Sequence, residues 1–192
     1  MKKTFLVAAT LVLSTSQLTG CLTSAAIGAA DAVGERRSVT GNASDKQIEF
    51  RVANAVRGQF PSAHINAEVY AGTVLLTGEV ESRNQGAAVE DVVRAVPGVR
   101  KVANELGIGS PSTLAARAAD TAITAKIKSA FLTDKLLTSG AFSTTTERGT
   151  VYLQGRVTNA EGEHAAKVAS GISGVRQVVK LFDFLSPSEY IR

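Results

Sequence analysis

Tryptophan is absent from this chain, and aromatic residues make up only 5% of its 192 residues. An aromatic-lined pocket for a sugar or nucleobase is therefore disfavoured. One cysteine and two histidines exclude a disulfide framework and a Cys/His zinc site. The basic excess is small, with 21 Lys and Arg against 17 Asp and Glu for a net charge of +4. That is not the charge density of a dedicated nucleic-acid binder. Hydrophobic residues at 44% and charged ones at 20% describe a globular chain rather than a disordered one. The length allows one to two domains.

What is present starts with an address. Lys2 and Lys3 precede an apolar run from Phe5 to Leu13 that is too short to span a bilayer. Leu18-Thr19-Gly20-Cys21 follows and resembles the lipobox of bacterial lipoproteins. The resemblance implies a signal peptide at 1–20 and lipidation of Cys21, against the alternative of an ordinary secretory leader with a free cysteine. The three acyl chains that the resemblance implies on Cys21 would make a lasting anchor, because one chain alone binds only marginally. Enteric lipoproteins retained in the inner membrane carry Asp at the next position. Leu22 there implies the outer membrane, with the protein facing the periplasm. Cleavage removes Lys2 and Lys3 and lowers the formal charge from +4 to +2. Residues 21–44 read as the lipidated cysteine and a flexible tether, with a reach of about 25–30 Å.

The remainder is an internal repeat. The block from Asp45 to Val52 matches Asp120 to Ile127, and Gly72 to Val80 matches Gly149 to Val157. Pro97-Gly98-Val99-Arg100-Lys101-Val102 matches Ser173-Gly174-Val175-Arg176-Gln177-Val178. Each unit reads as αββαβ, over 45–109 and 120–185, with a linker at 110–119 and a tail at 186–192. Asp45 and Asp120 are placed to cap the first helices. Apolar stripes follow at Ile48, Val52, Ala55 and Val56, and at Ile123, Ile127, Ala130 and Phe131. Ala71-Gly72 and Arg148-Gly149 are the expected hairpin turns, and the closing strands are expected over 99–108 and 175–184. The fold class is α+β: two tandem domains, each with two helices on one face of a three-stranded sheet. Domains this small gain from packing on each other.

The Asp-x-x-Ile-x-x-x-Val/Ile helix, the Gly-x-Val-x-Leu-x-Gly-x-Val hairpin and the Gly-Val-x-x-Val closing strand together resemble the BON domain family. A lipobox ahead of two such domains resembles the dual-BON lipoproteins of the outer membrane. That resemblance implies a non-enzymatic periplasmic module that binds phospholipid, helps to keep the envelope intact and is enriched at the division site.

No cofactor or metal ligand set is legible. His64 and His164 each lack a ligand or nucleophile at readable spacing and are expected to be solvated or hydrogen-bonded. Glu79 and Glu81 share one strand face with exposed-edge character. Gly72 to Gly78 lacks the Lys-Ser/Thr of a phosphate loop, so Gly78 and Gly155 mark a strand bend or a close approach.

The helix from Asp120 carries the functional expectation. Stepping about 100° per residue, Ile127 and Phe131 fall within about 80° of Ile123, whereas Leu132 falls at about 180°. Ala122, Ala125 and Ser129 share that outer side, flanked by Lys126 and Lys128, and Lys135 and Leu136 follow. This small-residue and leucine face, framed by lysines, fits an anionic phospholipid surface. The alternative ends the helix before Leu132 and uses Leu136 and Leu137 to close the core. In the first repeat Phe50 points away from its own stripe, toward either the second domain or a protein partner. The first unit has seven basic and eight acidic side chains, net −1, and the second has eight and six, net +2. Lipid contact is therefore expected in the second domain, and an adaptor for envelope assembly or peptidoglycan remodelling is the rival reading.

Overall fold

The computed structural model describes residues 39–186. The first repeat contains α1 (Val39–Gln59), β1 (His64–Tyr70), β2 (Thr73–Val80), α2 (Arg83–Arg94), β3 (Lys101–Asn104) and β4 (Gly107–Ile108). The second contains α3 (Leu114–Thr133), a single 3-10 turn, β5 (Phe142–Glu147), β6 (Thr150–Val157), α4 (Asn159–Ser170) and β7 (Gln177–Phe184). In each sheet the middle strand pairs antiparallel with the preceding one and parallel with the last. The αββαβ order is thus realised twice. Residues 1–38 and 187–192, including Cys21 and most of the expected tether, lie outside the described residues.

Both first helices start earlier than expected. Residues 39–44 of the expected tether belong to α1, and 114–119 of the expected linker belong to α3. The N-cap of α3 is Thr113, whose side chain accepts from the Ala116 amide at 3.2 Å. Asp45 and Asp120 are consequently interior helix residues, not caps. Each is buried and holds the hairpin turn of its own repeat. Asp45 accepts from the Ala71 and Gly72 amides at 2.7 and 2.9 Å. Asp120 accepts from the Arg148 and Gly149 amides, both at 2.8 Å. Both residues of each turn have positive φ, 48° and 73° in the first and 50° and 76° in the second. This type I′ geometry aims two adjacent amides at one carboxylate.

The apolar stripes face the sheets as expected: Ile48, Val52 and Val56 in one core, Ile123, Ile127 and Phe131 in the other. Gly155 marks a close approach, since a Cβ there would sit 2.6 Å from the Ala141 carbonyl oxygen. The closing strands start at residues 101 and 177 because the Val99 and Val175 amides still bond back to Val96 and Ile172 at 3.1 Å. The first closing strand also breaks after Asn104, where the Leu106 amide turns to the Asn104 side chain at 3.2 Å.

The reverse sheet faces are buried too. Tyr70, Leu75, Thr77, Glu79, Tyr152 and Gln154 alternate with the core residues, so they point away from the helices of their own repeat. Each repeat covers these residues of the other. The Arg156 amide donates to the Tyr70 hydroxyl at 3.0 Å, and that hydroxyl donates to the Ala141 carbonyl at 3.4 Å. Gln154 donates to the Thr73 carbonyl at 3.4 Å, and Asn66 to Glu147 at 3.3 Å. The order is helices, sheet, sheet, helices, with the two helical layers on opposite outer sides.

Asp45→Ala and Asp120→Ala should each leave two turn amides without their charged acceptor and lower stability by about 3 kcal/mol. Chemical denaturation measures this. A loss below about 0.5 kcal/mol for either would contradict the turn-holding role.

Candidate functional site

The four-layer order leaves the outer side of α3 in solvent. Ala122, Ala125, Lys126, Ser129 and Lys135 are exposed, and Lys128 is half-buried. Leu132 is 50% and Leu136 69% exposed, whereas Leu137 is buried in the core. Because α3 runs through Thr133, Leu132 lies within the helix and opposite Ile123 and Ile127. The two alternatives for this region are therefore divided between neighbours, with Leu137 closing the core and Leu136 presented outward.

Asp134 sets that division. Its carboxylate accepts from the Leu136 amide at 2.8 Å and pairs with His164 on α4, also at 2.8 Å. The tight turn after the helix aims successive leucines to opposite sides. The Leu136 amide and then His164 hold the Asp134 carboxyl below its usual range. His164 is thus hydrogen-bonded, one of the two states expected for it.

Phe50 is 69% exposed on α1. Lys46, Gln47 and Arg51 surround it. The contact with the second domain offered as one reading is not made, because the repeats meet through the sheet faces opposite α1. Its position in the repeat corresponds to Ala125 in α3, so the two outer helical faces differ in kind.

A second constellation lies at the junction of the repeats. Glu79, expected at an exposed edge, is 2% exposed. One of its oxygens accepts from the Arg148 guanidinium, and the other from the Ser112 amide at 3.0 Å. His64 Nδ1 lies 3.0 Å from that second oxygen. Arg148 also donates to the Ser110 carbonyl at 2.8 Å, which fastens the inter-repeat segment. Burial pushes the Glu79 carboxyl up, but the bonds from Arg148, His64 and Ser112 together outweigh it, and the group lies below the usual range. Glu147 behaves oppositely. Burial first, then the Glu79 charge, pushes its carboxyl up, and its Oε1 is buried without a hydrogen-bond partner. Burial and the charges of Glu105 and Glu147 push the Tyr152 hydroxyl up to about 12.

No ligand set around His64 was legible, because its neighbours come from a different strand and a different repeat. Strand alternation put Glu79 and Glu81 on one strand face and gave that face exposed-edge character. What it could not supply was a second sheet to bury that face.

Asp134 provides a titratable check on the α3 turn. Its folded pKa is depressed, so its contribution is present above the unfolded value and is lost as pH falls through the folded one. The Leu136 amide resonance should therefore titrate with a midpoint below 3.8. A midpoint at or above that value would contradict the turn geometry.

Residues 44–110 and 119–185 match the BON domain. Outer membrane lipoprotein DolP of Haemophilus influenzae is 33% identical over 184 residues, covering 92% of this chain and 95% of that one. The 21 kDa hemolysin of Actinobacillus pleuropneumoniae is 28% identical over 152 residues, 78% of each chain. An uncharacterized protein of Anaplasma centrale is 32% identical over 117 residues, 60% of this chain and 78% of that one. With two matched domains that span most of its length, this chain belongs to the BON-domain family.

Proposed function

We propose that this protein is a non-catalytic, lipid-anchored component of the outer membrane, facing the periplasm, whose second BON domain rests on anionic phospholipid and supports envelope integrity. The observation that carries the reading is the outer face of α3. Leu132 and Leu136 are 50% and 69% exposed, and Lys126 and Lys135 lie beside them. The DolP relative is named an outer membrane lipoprotein, which supports the location. Among the described residues no helix is long and apolar enough to cross a membrane, and this reading assigns attachment to Cys21 and to the α3 face.

Magnitudes set the division of work. Burying the remaining surface of the two leucines contributes about 2–3 kcal/mol. Each lysine near an anionic leaflet adds about 1 kcal/mol. The sum, about 4–5 kcal/mol, corresponds to roughly millimolar binding. An acyl anchor that supplies a millimolar local concentration makes such a face effective, and without the anchor the contact is transient.

The adaptor reading draws on Phe50, a large aromatic side chain left in solvent between Lys46 and Arg51. Phosphatidylglycerol, cardiolipin and neutral vesicles separate the two. Residues 22–192 should sediment with the anionic vesicles, release at raised salt, and lose at least tenfold in binding with Lys126→Glu/Lys128→Glu/Leu132→Ser. Phe50→Ala should leave this binding intact. Equal binding to neutral vesicles, or none to either, would overturn the lipid reading, and loss of cellular crosslinks with Phe50→Ala would then favour the adaptor.

A further inference from the structure

We propose that His64, Glu79 and Glu147 form a divalent-cation site of the zinc class that joins the two repeats. One ligand atom from each residue lies within 4.8 Å of the other two. His64 and Glu79 face each other on paired strands of the first repeat, and Glu147 ends β5 of the second. The composition excluded a site built from cysteines and histidines, but one imidazole with two carboxylates is a different donor set and suits zinc.

Two observations fit an ion at this position. First, His64 Nδ1 and the nearest Glu79 oxygen are 3.0 Å apart. Two ligand atoms on one tetrahedral zinc ion stand about 3.3 Å apart, given bond lengths near 2.0–2.1 Å. Second, Glu147 Oε1 is buried with no hydrogen-bond partner, an expensive state for a carboxylate oxygen. Thr144, His64, Glu147, Asn66 and Glu68 line one cleft of about 400 Å³, which supplies an access route and room for water at the fourth position.

The surroundings resemble an outer ligand shell. Arg148 and the Ser112 amide orient Glu79, and Asn66 orients Glu147. Arg148 occupies the Glu79 oxygen that faces away from His64, so it does not compete for the ion. Formal charges of Glu79, Glu147 and Arg148 sum to −1, and a divalent cation offsets this.

The test uses the full chain carrying Cys21→Ser, so that no thiol competes, titrated with Zn²⁺ against a chromophoric chelator and followed by thermal unfolding. One ion should bind per chain and raise the Tm. His64→Ala and Glu147→Gln should each weaken binding at least tenfold, and His164→Ala should leave it unchanged. Glu147→Gln removes a half-buried carboxylate with one unpartnered oxygen, so its metal-free Tm should equal or exceed that of the parent while the zinc-induced rise disappears. That combination separates ligand loss from misfolding. Absence of one-to-one binding at micromolar zinc, unchanged binding in Glu147→Gln, or loss of binding in His164→Ala would each overturn the site.

Discussion

The structure depends on a pair of sheet faces that neither repeat can leave in water. Leu75, Thr77 and Glu79 of β2 and Tyr152 and Gln154 of β6 are buried although they point away from the helices of their own repeats. Each sheet thus has two covered faces, which a sheet of three or four strands with two helices does not achieve alone. Glu79 lies at this junction, bonded to Arg148 of the second repeat and to the inter-repeat segment at Ser112. A carboxylate at 2% exposure is strongly destabilising without such partners. Its complete set of donors ties the position of each repeat to the other.

From that constraint the distribution of function follows. Sheet-on-sheet packing assigns the helical layers to the two outer sides, so α1 and α3 present their outer faces in opposite directions. The two repeats supply similar helices whose outer faces differ in kind. α1 carries Phe50 with Lys46 and Arg51, whereas α3 carries small residues, lysines and Leu132. The inward stripes, Ile48, Val52 and Val56 against Ile123, Ile127 and Phe131, stayed alike because they meet equivalent sheets. On the proposed reading the second repeat meets the membrane, and the outer face of the first is left for other contacts.

Much of this was legible from local rules. The αββαβ order, both hairpin turns and both core stripes came from periodicity and from glycine placement. The outward aim of Leu132 came from a helical wheel. Asp45 and Asp120 were misread because a cap rule looks a few residues ahead, whereas their amide partners are a full hairpin away in sequence. Leu136 and Leu137 could not be separated until the Asp134 turn was seen. Glu79, His64 and Glu147 were invisible as a group because their meeting is a property of two sheets packed together. Burial of the second face is a tertiary event, and no period in the chain reports it.

The most direct measurement is paramagnetic broadening of backbone amide signals with the protein on phosphatidylglycerol nanodiscs that carry spin-labelled lipid. The account predicts broadening confined to one side, from Ala122 through Leu136, with Lys46 to Arg51 on α1 and the strands of the junction unaffected. Broadening centred on Phe50, or spread equally over α1 and α3, would contradict both the packing order and the assignment of the membrane face.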